Sequence, residues 1–264
     1  MEEKLLQMKS LVERLNQASD SYYNGKGELM TDYEWDALFD QLKRLEEETG
    51  EILPDSPTNR VSEDSIVGKK EEHEFAALSL AKTKQVSDLV KWAEDRPIWI
   101  SWKLDGLTLV VTYDGGKLTK IVTRGNGHIG TNITHLAPAI SGIPATISEK
   151  GHLVVRGEAV ISYADFEQFI IESEGDYANP RNLASGSLTL KDIEEVKQRH
   201  IQWIPFTLVY TERELTSWGE RRQMLKDLGR NPGERERIDH PTTEEIQLEI
   251  DKFTEKVTSK KNPF

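Results

Sequence analysis

Cysteine is missing from the sequence altogether. Its absence excludes disulfides, thiolate nucleophiles and cysteine-ligated zinc sites within this chain, and it is compatible with a reducing compartment. No apolar run approaches the roughly 18 residues of a membrane-spanning helix, so no transmembrane span is predicted. The opening residues, MEEKLLQMKS, are acidic and lack an apolar segment. We therefore predict no signal peptide and expect a cytoplasmic location.

Basic residues are in deficit as well. The chain has 34 lysines and arginines against 46 acidic residues, which gives a net charge of −12 over 264 residues. A domain that binds DNA by itself normally carries a basic face. The acidic balance therefore predicts weak DNA binding, or none, by this chain alone. The length predicts one large domain, or a small one followed by a large one, and we expect a monomer.

The N-terminal part predicts two amphipathic helices. Apolar residues recur at helical spacing over residues 4–18. A second helix is predicted over 32–48, because Thr31 and Glu34 fit a capping box in front of an apolar stripe. Pro54–Thr58 predicts an extended linker. We therefore divide the chain into a helical module, residues 1–62, and a second domain, residues 63–264.

The second domain has the pattern of strands joined by turns, with helices among them. Asp114-Gly115-Gly116 predicts a tight hairpin turn. A helix is predicted to begin at Ser162, and two more are predicted near 215–228 and 242–258. The predicted strands are Ile98–Leu104, Leu107–Tyr113, Leu118–Thr123, His152–Ile161 and Trp203–Tyr210. The order of elements predicts an α+β fold with a mostly antiparallel sheet.

The segment Ser101-Trp102-Lys103-Leu104-Asp105-Gly106 is the strongest candidate for chemistry. Residues two apart on a strand share a face, so the Lys103 amine and the Asp105 carboxylate would face one pocket together with Ser101. A lysine amine can act as a nucleophile, and its attack on phosphorus gives a phosphoramidate. The alternative interpretation is a surface lysine–aspartate pair beside a hairpin.

Two further segments suit phosphate and ribose binding. The run from Thr123 to Thr134 is rich in glycine and holds Arg124, whose planar guanidinium suits phosphate. The alternative is a turn with a surface arginine. In the strand containing Arg156 and Glu158 the two side chains share a face, and Glu158 can accept ribose hydroxyls or help hold Mg²⁺. The alternative is a cross-strand ion pair.

These segments, together with the run Tyr177–Leu188, occur in the order found in the NAD⁺-dependent DNA ligases, which the sequence resembles. The resemblance implies a nucleotidyltransferase (adenylation) domain with flanking helices, preceded by a helical module that recognises NMN. It implies that Lys103 attacks the adenylyl phosphorus of NAD⁺ and that Asp105 and Glu158 orient the ribose or Mg²⁺. Nicked duplex DNA would be the partner of the full-length enzyme.

The resemblance also implies the remaining binding residues. Arg124 and Arg156 would support phosphates, while Phe206 would stack on adenine beside Ser79, Leu80 and Ser101. The residues implied for NMN are Tyr22, Tyr23, Asp32, Trp35 and Asp36. Aromatic faces can stack on nicotinamide, and carboxylates can accept ribose hydroxyls. Core packing explains Trp35 and Phe206 equally well. No residue is assigned as a dedicated metal ligand.

The sequence departs from the family pattern at several positions. Ser101 stands where the family usually has a glutamate that reads the adenine edge, Asn126 and Thr131 replace acids, and Trp35 replaces a tyrosine. The family's later lysine motifs and DNA-binding domains do not follow within the chain, so we expect an adenylating portion that does not seal nicks alone. Two alternatives stay open: a non-catalytic NAD⁺-binding module or decayed paralogue, and an ATP-dependent nucleotidyltransferase, against which the N-terminal module argues.

Overall fold

The computed structural model describes residues 2–23, 29–58, 68–78, 80–173, 177–229, 232–259 and 264. Within these ranges the helices are α1 (Glu2–Tyr23), α2 (Asp32–Thr49), α3 (Val86–Ala93), α4 (Tyr163–Ser173), α5 (Pro180–Ser187), α6 (Ile193–Lys197), α7 (Trp218–Asp227) and α8 (Thr243–Thr258), with a 3₁₀ helix at Thr134–Ala139. The strands are β1 (Lys70–Glu72), β2 (Ile98–Ser101), β3 (Leu107–Asp114), β4 (Lys117–Thr123), β5 (Ile129–Thr131), β6 (Leu153–Val160), β7 (Gln202–Thr211) and β8 (Arg235–Ile238).

Helices α1 and α2 pack together around their own apolar core, in which Met8, Leu15 and Leu42 are fully buried. The predicted capping box is confirmed: Thr31 and Glu34 each bind the other's backbone N–H at the start of α2. Gly50 ends the helix in the left-handed conformation, with φ at +68°. The caps that satisfy the free backbone groups at helix ends come from residues close in sequence. The start of α2 could therefore be predicted from the sequence.

The segment after α2 differs from the prediction of an extended linker. It contains turns, and Ser56 is completely buried. The hydroxyl groups of Ser56 and Thr58 donate to the two carboxylate oxygens of Glu46, at 2.5 and 2.7 Å. Glu46 is itself buried. A buried carboxylate requires hydrogen-bond donors, and this requirement folds the segment back onto α2.

A mostly antiparallel architecture is confirmed for the second part of the chain. Within the described residues, one sheet has four strands in the order β4-β3-β6-β7, and two smaller sheets pair β1 with β5 and β2 with β8. All these pairs are antiparallel. The tight turn between β3 and β4 is formed by Gly115 and Gly116, both with positive φ, as the double glycine predicted.

The two faces of the four-stranded sheet have different surroundings. Alternate residues such as Leu109 and Val155 point into the main apolar core. The intervening residues, among them Val110 and Val154, face a small cluster covered by Phe75. Since neighbouring residues on a strand point to opposite faces, this second face also carries Thr108, Glu158 and Arg156, and it forms one wall of the candidate site.

The smaller sheet of β2 and β8 packs against α3 and α8 around Ile98, Ile238 and Ile246. Strand β2 ends at Ser101, three residues earlier than the predicted end at Leu104. The reason is the partner strand: the pairing of β2 with β8 stops where Ser101 faces Arg235. Residues 102–106 then cross from this sheet to β3 of the four-stranded sheet. None of the helices in the described ranges is long and apolar enough to cross a bilayer.

Candidate active site

Lys103 and Asp105 lie on the segment that crosses between the two sheets, and both side chains are exposed. The Trp102 ring contacts Phe253 of α8 edge-on at 4.6 Å, and its Nε1 donates to Glu234. The prediction that Ser101, Lys103 and Asp105 share one face assumed a continuous strand, whereas residues 102–105 are not a strand, so strand alternation does not apply to them.

Gly106 closes the crossing segment against β6. A Cβ placed there would lie 2.1 Å from the carbonyl oxygen of Ala159. No side chain fits at that distance, so glycine is required for the backbone of β6 to approach this closely. The close approach therefore places the segment that carries Lys103 against β6, the strand that carries Glu158.

Glu158 is a half-buried acid of β6, opposite Thr108 of β3. Its Oε2 accepts a hydrogen bond from Thr108 Oγ1 at 2.9 Å. Burial raises the pKa of Glu158, whereas the Thr108 bond and the charges of Arg181 and Lys103 act to lower it. Lys103 and Arg181 therefore both favour the charged form of Glu158.

Arg181 was not among the site residues predicted from the sequence. Its Nη1 donates to Asp105 Oδ1 at 2.7 Å, and the two side chains are 26% and 60% exposed. Within the run Tyr177–Leu188, α5 begins at Pro180. Asn179 caps this helix by accepting from the Asn182 N–H, and Pro180 occupies its first turn. An Asn-Pro pair is a typical helix start, and it could have predicted that Arg181 projects from a fixed first turn.

The glycine-rich run forms a turn between β4 and β5. Asn126 Oδ1 accepts from the N–H groups of His128 and Ile129 at 3.0 and 2.8 Å. Gly125 and Gly127 have positive φ, which explains the choice of glycine. The backbone N–H of Arg124 donates to Thr108 O. The backbone of Arg124 therefore lies next to Thr108, the residue whose hydroxyl donates to Glu158.

Arg156 holds the segment that leads to Leu80. Its Nη2 donates to the carbonyls of Phe75 and Ala76, at 3.2 and 2.6 Å. On the other side, the Ala77 N–H donates to Gly127 O at 2.7 Å. The segment is thus fixed between β6 and the glycine-rich turn. Leu80 is 85% exposed, and Ser79 lies outside the described residues.

Phe206 lies on β7, half-buried, at a bulge in the pairing with β6. Gly157 faces Pro205 and Arg156 faces Thr207, so Phe206 has no residue opposite it. A bulge changes the direction of a side chain relative to a regular strand, and such bulges are frequent beside active sites. Gly157 is needed in this region too, since a Cβ there would lie 2.4 Å from the Trp203 ring.

The residues implied for NMN lie in the helical module. Tyr22 and Tyr23 close α1, and Asp32 and Asp36 belong to the first turns of α2, but these four side chains lie outside the described part of the structure. Trp35 is half-buried: its ring stacks on Phe39 with centroids 4.8 Å apart, and its Nε1 donates to Ser19 Oγ and Leu15 O. These contacts join α2 to α1.

Comparisons with known proteins identify the family of both parts of the chain. Residues 69–262 match the family model of the NAD-dependent DNA ligase adenylation domain, and residues 1–62 match that of the DNA ligase-like, N-terminal NAD⁺-binding domain. The chain belongs to the NAD-dependent DNA ligase family. The match to the adenylation model covers every element from β1 to α8.

Curated members of the ligase family cover most of the chain. A DNA ligase of Lachnoclostridium phytofermentans is 40% identical over 235 residues, which are 87% of this chain and 36% of that protein. One from Ruminiclostridium cellulolyticum is 42% identical over 213 residues, 79% of this chain and 32% of that protein. The chain therefore spans about a third of the length of the curated relatives that it matches.

Two departures from the ligase pattern have a structural account in this chain. Asn126 supplies the side-chain oxygen that caps the glycine-rich turn, and an aspartate would supply the same acceptor. Thr131 is completely buried, and its Oγ1 accepts from Lys70 Nζ at 3.0 Å. Both residues therefore stabilise the turn and the β1–β5 pair.

Proposed function

We propose that this chain performs the first step of DNA ligation, the transfer of AMP from NAD⁺ to Lys103. Lys103 Nζ forms a bond to the adenylyl phosphorus, and the amine loses a proton to solvent. The bond from that phosphorus to the bridging oxygen of the pyrophosphate breaks, and NMN leaves with that oxygen. A lysine-linked AMP remains. The observation that carries the proposal is the exposed Lys103 on the crossing segment, next to an Asp105 carboxylate that Arg181 holds at 2.7 Å.

The neighbouring residues are proposed to bind and orient the dinucleotide. Asp105 and Glu158 would accept the ribose hydroxyls, since carboxylates accept hydrogen bonds and hydroxyls donate them. Arg124 and Arg156 would support the phosphates. Phe206 would stack on the adenine, with Ser79, Leu80 and Ser101 at its border. Arg181 would keep Asp105 oriented through the 2.7 Å contact.

Mg²⁺ is proposed as a cofactor of this step. In the described part of the chain, no three acidic or histidine side chains converge to hold a metal ion. Mg²⁺ commonly takes one or two carboxylates and completes its shell with phosphate oxygens and water. Glu158 and Asp105 fit such a site when substrate phosphates are present. The ion would neutralise the charge that develops on the pyrophosphate.

The helical module, residues 1–62, is proposed to hold the NMN half of NAD⁺. Tyr22, Tyr23, Trp35, Asp32 and Asp36 would form this surface, and residues 63–264 would form the adenylation domain. In the full-length enzyme, AMP would pass to the 5′-phosphate of nicked duplex DNA. The net charge of −12 supports weak DNA binding by this part of the protein. We further propose a monomeric protein located in the cytoplasm.

Intact-protein mass spectrometry after incubation with NAD⁺ and Mg²⁺ tests the proposal. We expect a gain of one AMP on the wild type and on Lys117→Ala, which removes an exposed lysine of β4. The gain should be absent from Lys103→Ala and absent when ATP replaces NAD⁺. An adduct that persists in Lys103→Ala would refute the assignment of the nucleophile. NAD⁺ binding without any adduct would instead favour a non-catalytic binding module, and an adduct formed from ATP would favour an ATP-dependent nucleotidyltransferase.

A further inference from the structure

The two bulges of β7 share one feature, an arginine bound to the carbonyl of the bulged residue. The pairing of β7 with β6 leaves two residues of β7 without a partner, Phe206 and, three residues later, Val209. Arg235 Nη2 donates to Phe206 O at 3.1 Å. Arg221 Nη1 donates to Val209 O, and also to Leu208 O, at 3.2 Å. A bulged residue loses its regular ladder partner, so these arginines provide the backbone contacts that the neighbouring strand does not.

Arg235 also connects the two sheets between which the nucleophile segment crosses. It belongs to β8, where it faces Ser101 of β2, and its side chain reaches β7 of the four-stranded sheet through Phe206 O. A second bond, from Nε to Pro232 O at 2.9 Å, fixes the guanidinium at its other edge. A planar guanidinium held by two carbonyls has little rotational freedom. Arg235 therefore defines the distance from Ser101's strand to the bulge.

Aromatic rings enclose this arginine. The Arg235 guanidinium carbon lies 4.9 Å from the centroid of Trp218, which contacts Trp99 at 5.2 Å. Arg222 lies over Trp99 at 5.4 Å. Neither Arg222 nor Arg235 forms a salt bridge within the described residues. Two neighbouring guanidinium groups without a carboxylate are expensive to bury.

The same environment affects the pKa of Arg235. Burial, followed by the positive charge of Arg222, lowers this pKa from its usual range to about 10. The guanidinium stays charged at neutral pH, so its removal from water on folding costs free energy. A methionine or leucine would fill the same apolar site without this penalty. The charged group is therefore best explained by what its two hydrogen bonds hold in place.

We propose that Arg235 is a positioning residue for the nucleotide, which sets the orientation of the Phe206 ring by fixing the carbonyl of this bulged residue. The inference rests on the proposed function, because it assigns the ring to the adenine. Arg235 would act through Phe206 and would touch neither the phosphates nor Lys103. Its removal should therefore weaken NAD⁺ binding and leave the chemical step nearly unchanged.

The test is a double-mutant cycle read out by the rate of lysine adenylation at varied NAD⁺. Arg235→Met should raise the NAD⁺ concentration for half-maximal rate about tenfold, with the maximal rate within about twofold. Arg235→Lys retains one donor and should recover part of this loss. In a Phe206→Leu background, Arg235→Met should raise the NAD⁺ concentration for half-maximal rate by less than about a further twofold, because the effects of residues that act through each other are not additive.

Arg221→Met is the matched control, because it removes the same type of contact from the other bulge. It should leave the half-maximal NAD⁺ concentration unchanged, with melting temperatures recorded for all variants. Equal effects of the two arginine variants, or independent effects of Arg235 and Phe206, would overturn the proposal. If the wild type forms no adduct, the proposed function fails, and calorimetric titration of NAD⁺ into the same variants decides the positioning role separately.

Discussion

Arg181 Nη1 donates to Asp105 Oδ1 at 2.7 Å, although the two residues are 76 positions apart in the chain. The contact joins the first turn of α5 to the segment that carries Lys103. Asp105 is more than half exposed, so solvent alone would leave its carboxylate free to rotate. The orientation of this carboxylate therefore depends on a helix from a distant part of the sequence.

Removing this contact should affect the reaction much more than the fold. We expect Arg181→Ala to lower the adenylation rate at saturating NAD⁺ by up to about 100-fold, because small displacements of reacting groups are that costly. The free energy of unfolding should fall by no more than about 1 kcal/mol, as for other exposed ion pairs. Mass spectrometry and urea denaturation measure the two effects.

Arg213→Ala serves as its control. Arg213 forms a 2.6 Å ion pair with Glu149 and is 64% exposed. Its loss should change stability by a similarly small amount and leave adenylation intact. An Arg181→Ala protein that adenylates at the wild-type rate would show that Asp105 needs no partner.

The close approach of Gly106 to β6 predicts a strong effect on stability. Gly106→Ala would place a Cβ 2.1 Å from Ala159 O, and relief of that overlap requires movement of the backbone. We expect a loss of about 1–3 kcal/mol in the free energy of unfolding, or failure to fold. Gly219→Ala is the control. Gly219 lies in α7, and a Cβ there would lie 3.8 Å from its nearest neighbour, the Ser217 hydroxyl. Alanine in a helix is neutral or stabilising. Equal stability of the two variants would contradict the prediction.

The glycine-rich turn should tolerate an acid at position 126 but not an aliphatic residue. Asn126→Ala removes the acceptor for two backbone N–H groups, which should cost about 1–2 kcal/mol. Asn126→Asp keeps the acceptor and should retain wild-type stability at neutral pH. Thermal unfolding separates the two outcomes. Destabilisation by aspartate as large as that by alanine would mean that the amide NH₂ group matters as well.

His152 predicts a pH-dependent contribution to stability. Its Nδ1 contacts Asp114 at 2.5 Å and its Nε2 contacts Glu74 at 2.9 Å. The bond to Asp114 raises the pKa of His152 above 6.5, against the effect of partial burial, and the bond to His152 lowers the pKa of Asp114 below 3.8. The histidine's contribution is complete below 6.5 and is lost as pH rises through its raised pKa. The aspartate's contribution is complete above 3.8 and is lost as pH falls through its lowered pKa.

The pair therefore stabilises the fold most between these limits. We expect His152→Gln to be more destabilising at about pH 6 than at about pH 9, as measured by urea denaturation. His135→Gln changes an exposed histidine of the 3₁₀ helix and should show no such difference. A His152→Gln effect that does not vary with pH would mean that the contacts are not ionic.

Local signals in the sequence predicted the parts of the fold that local interactions determine. The Thr31–Glu34 capping box and the Gly115–Gly116 turn both form where the pattern placed them. The end of β2 could not be predicted in this way. Apolar and polar residues continue to alternate past Ser101, but the ladder stops there because its partner Arg235 is the first residue of β8. The position of a strand's partner is a tertiary property, and alternation does not report it.

The candidate site shows the same division. Lys103, Asp105 and Glu158 were predicted from short segments, whereas Arg181 depends on the packing of α5 and was missed. Strand β8 was missed because its four residues, Arg-Glu-Arg-Ile, carry almost no apolar pattern. The bulge at Phe206 had one available signal, Pro205, since proline inside a strand favours an edge or a bulge.

The crossing segment, residues 102–106, belongs to no strand. Local opening of a segment costs less free energy when few ladder hydrogen bonds must break, and its amides then exchange with solvent more readily than those of a central strand. The amides of Lys103 and Asp105 should therefore exchange with solvent faster than those of β3 and β6, which the strand ladder protects.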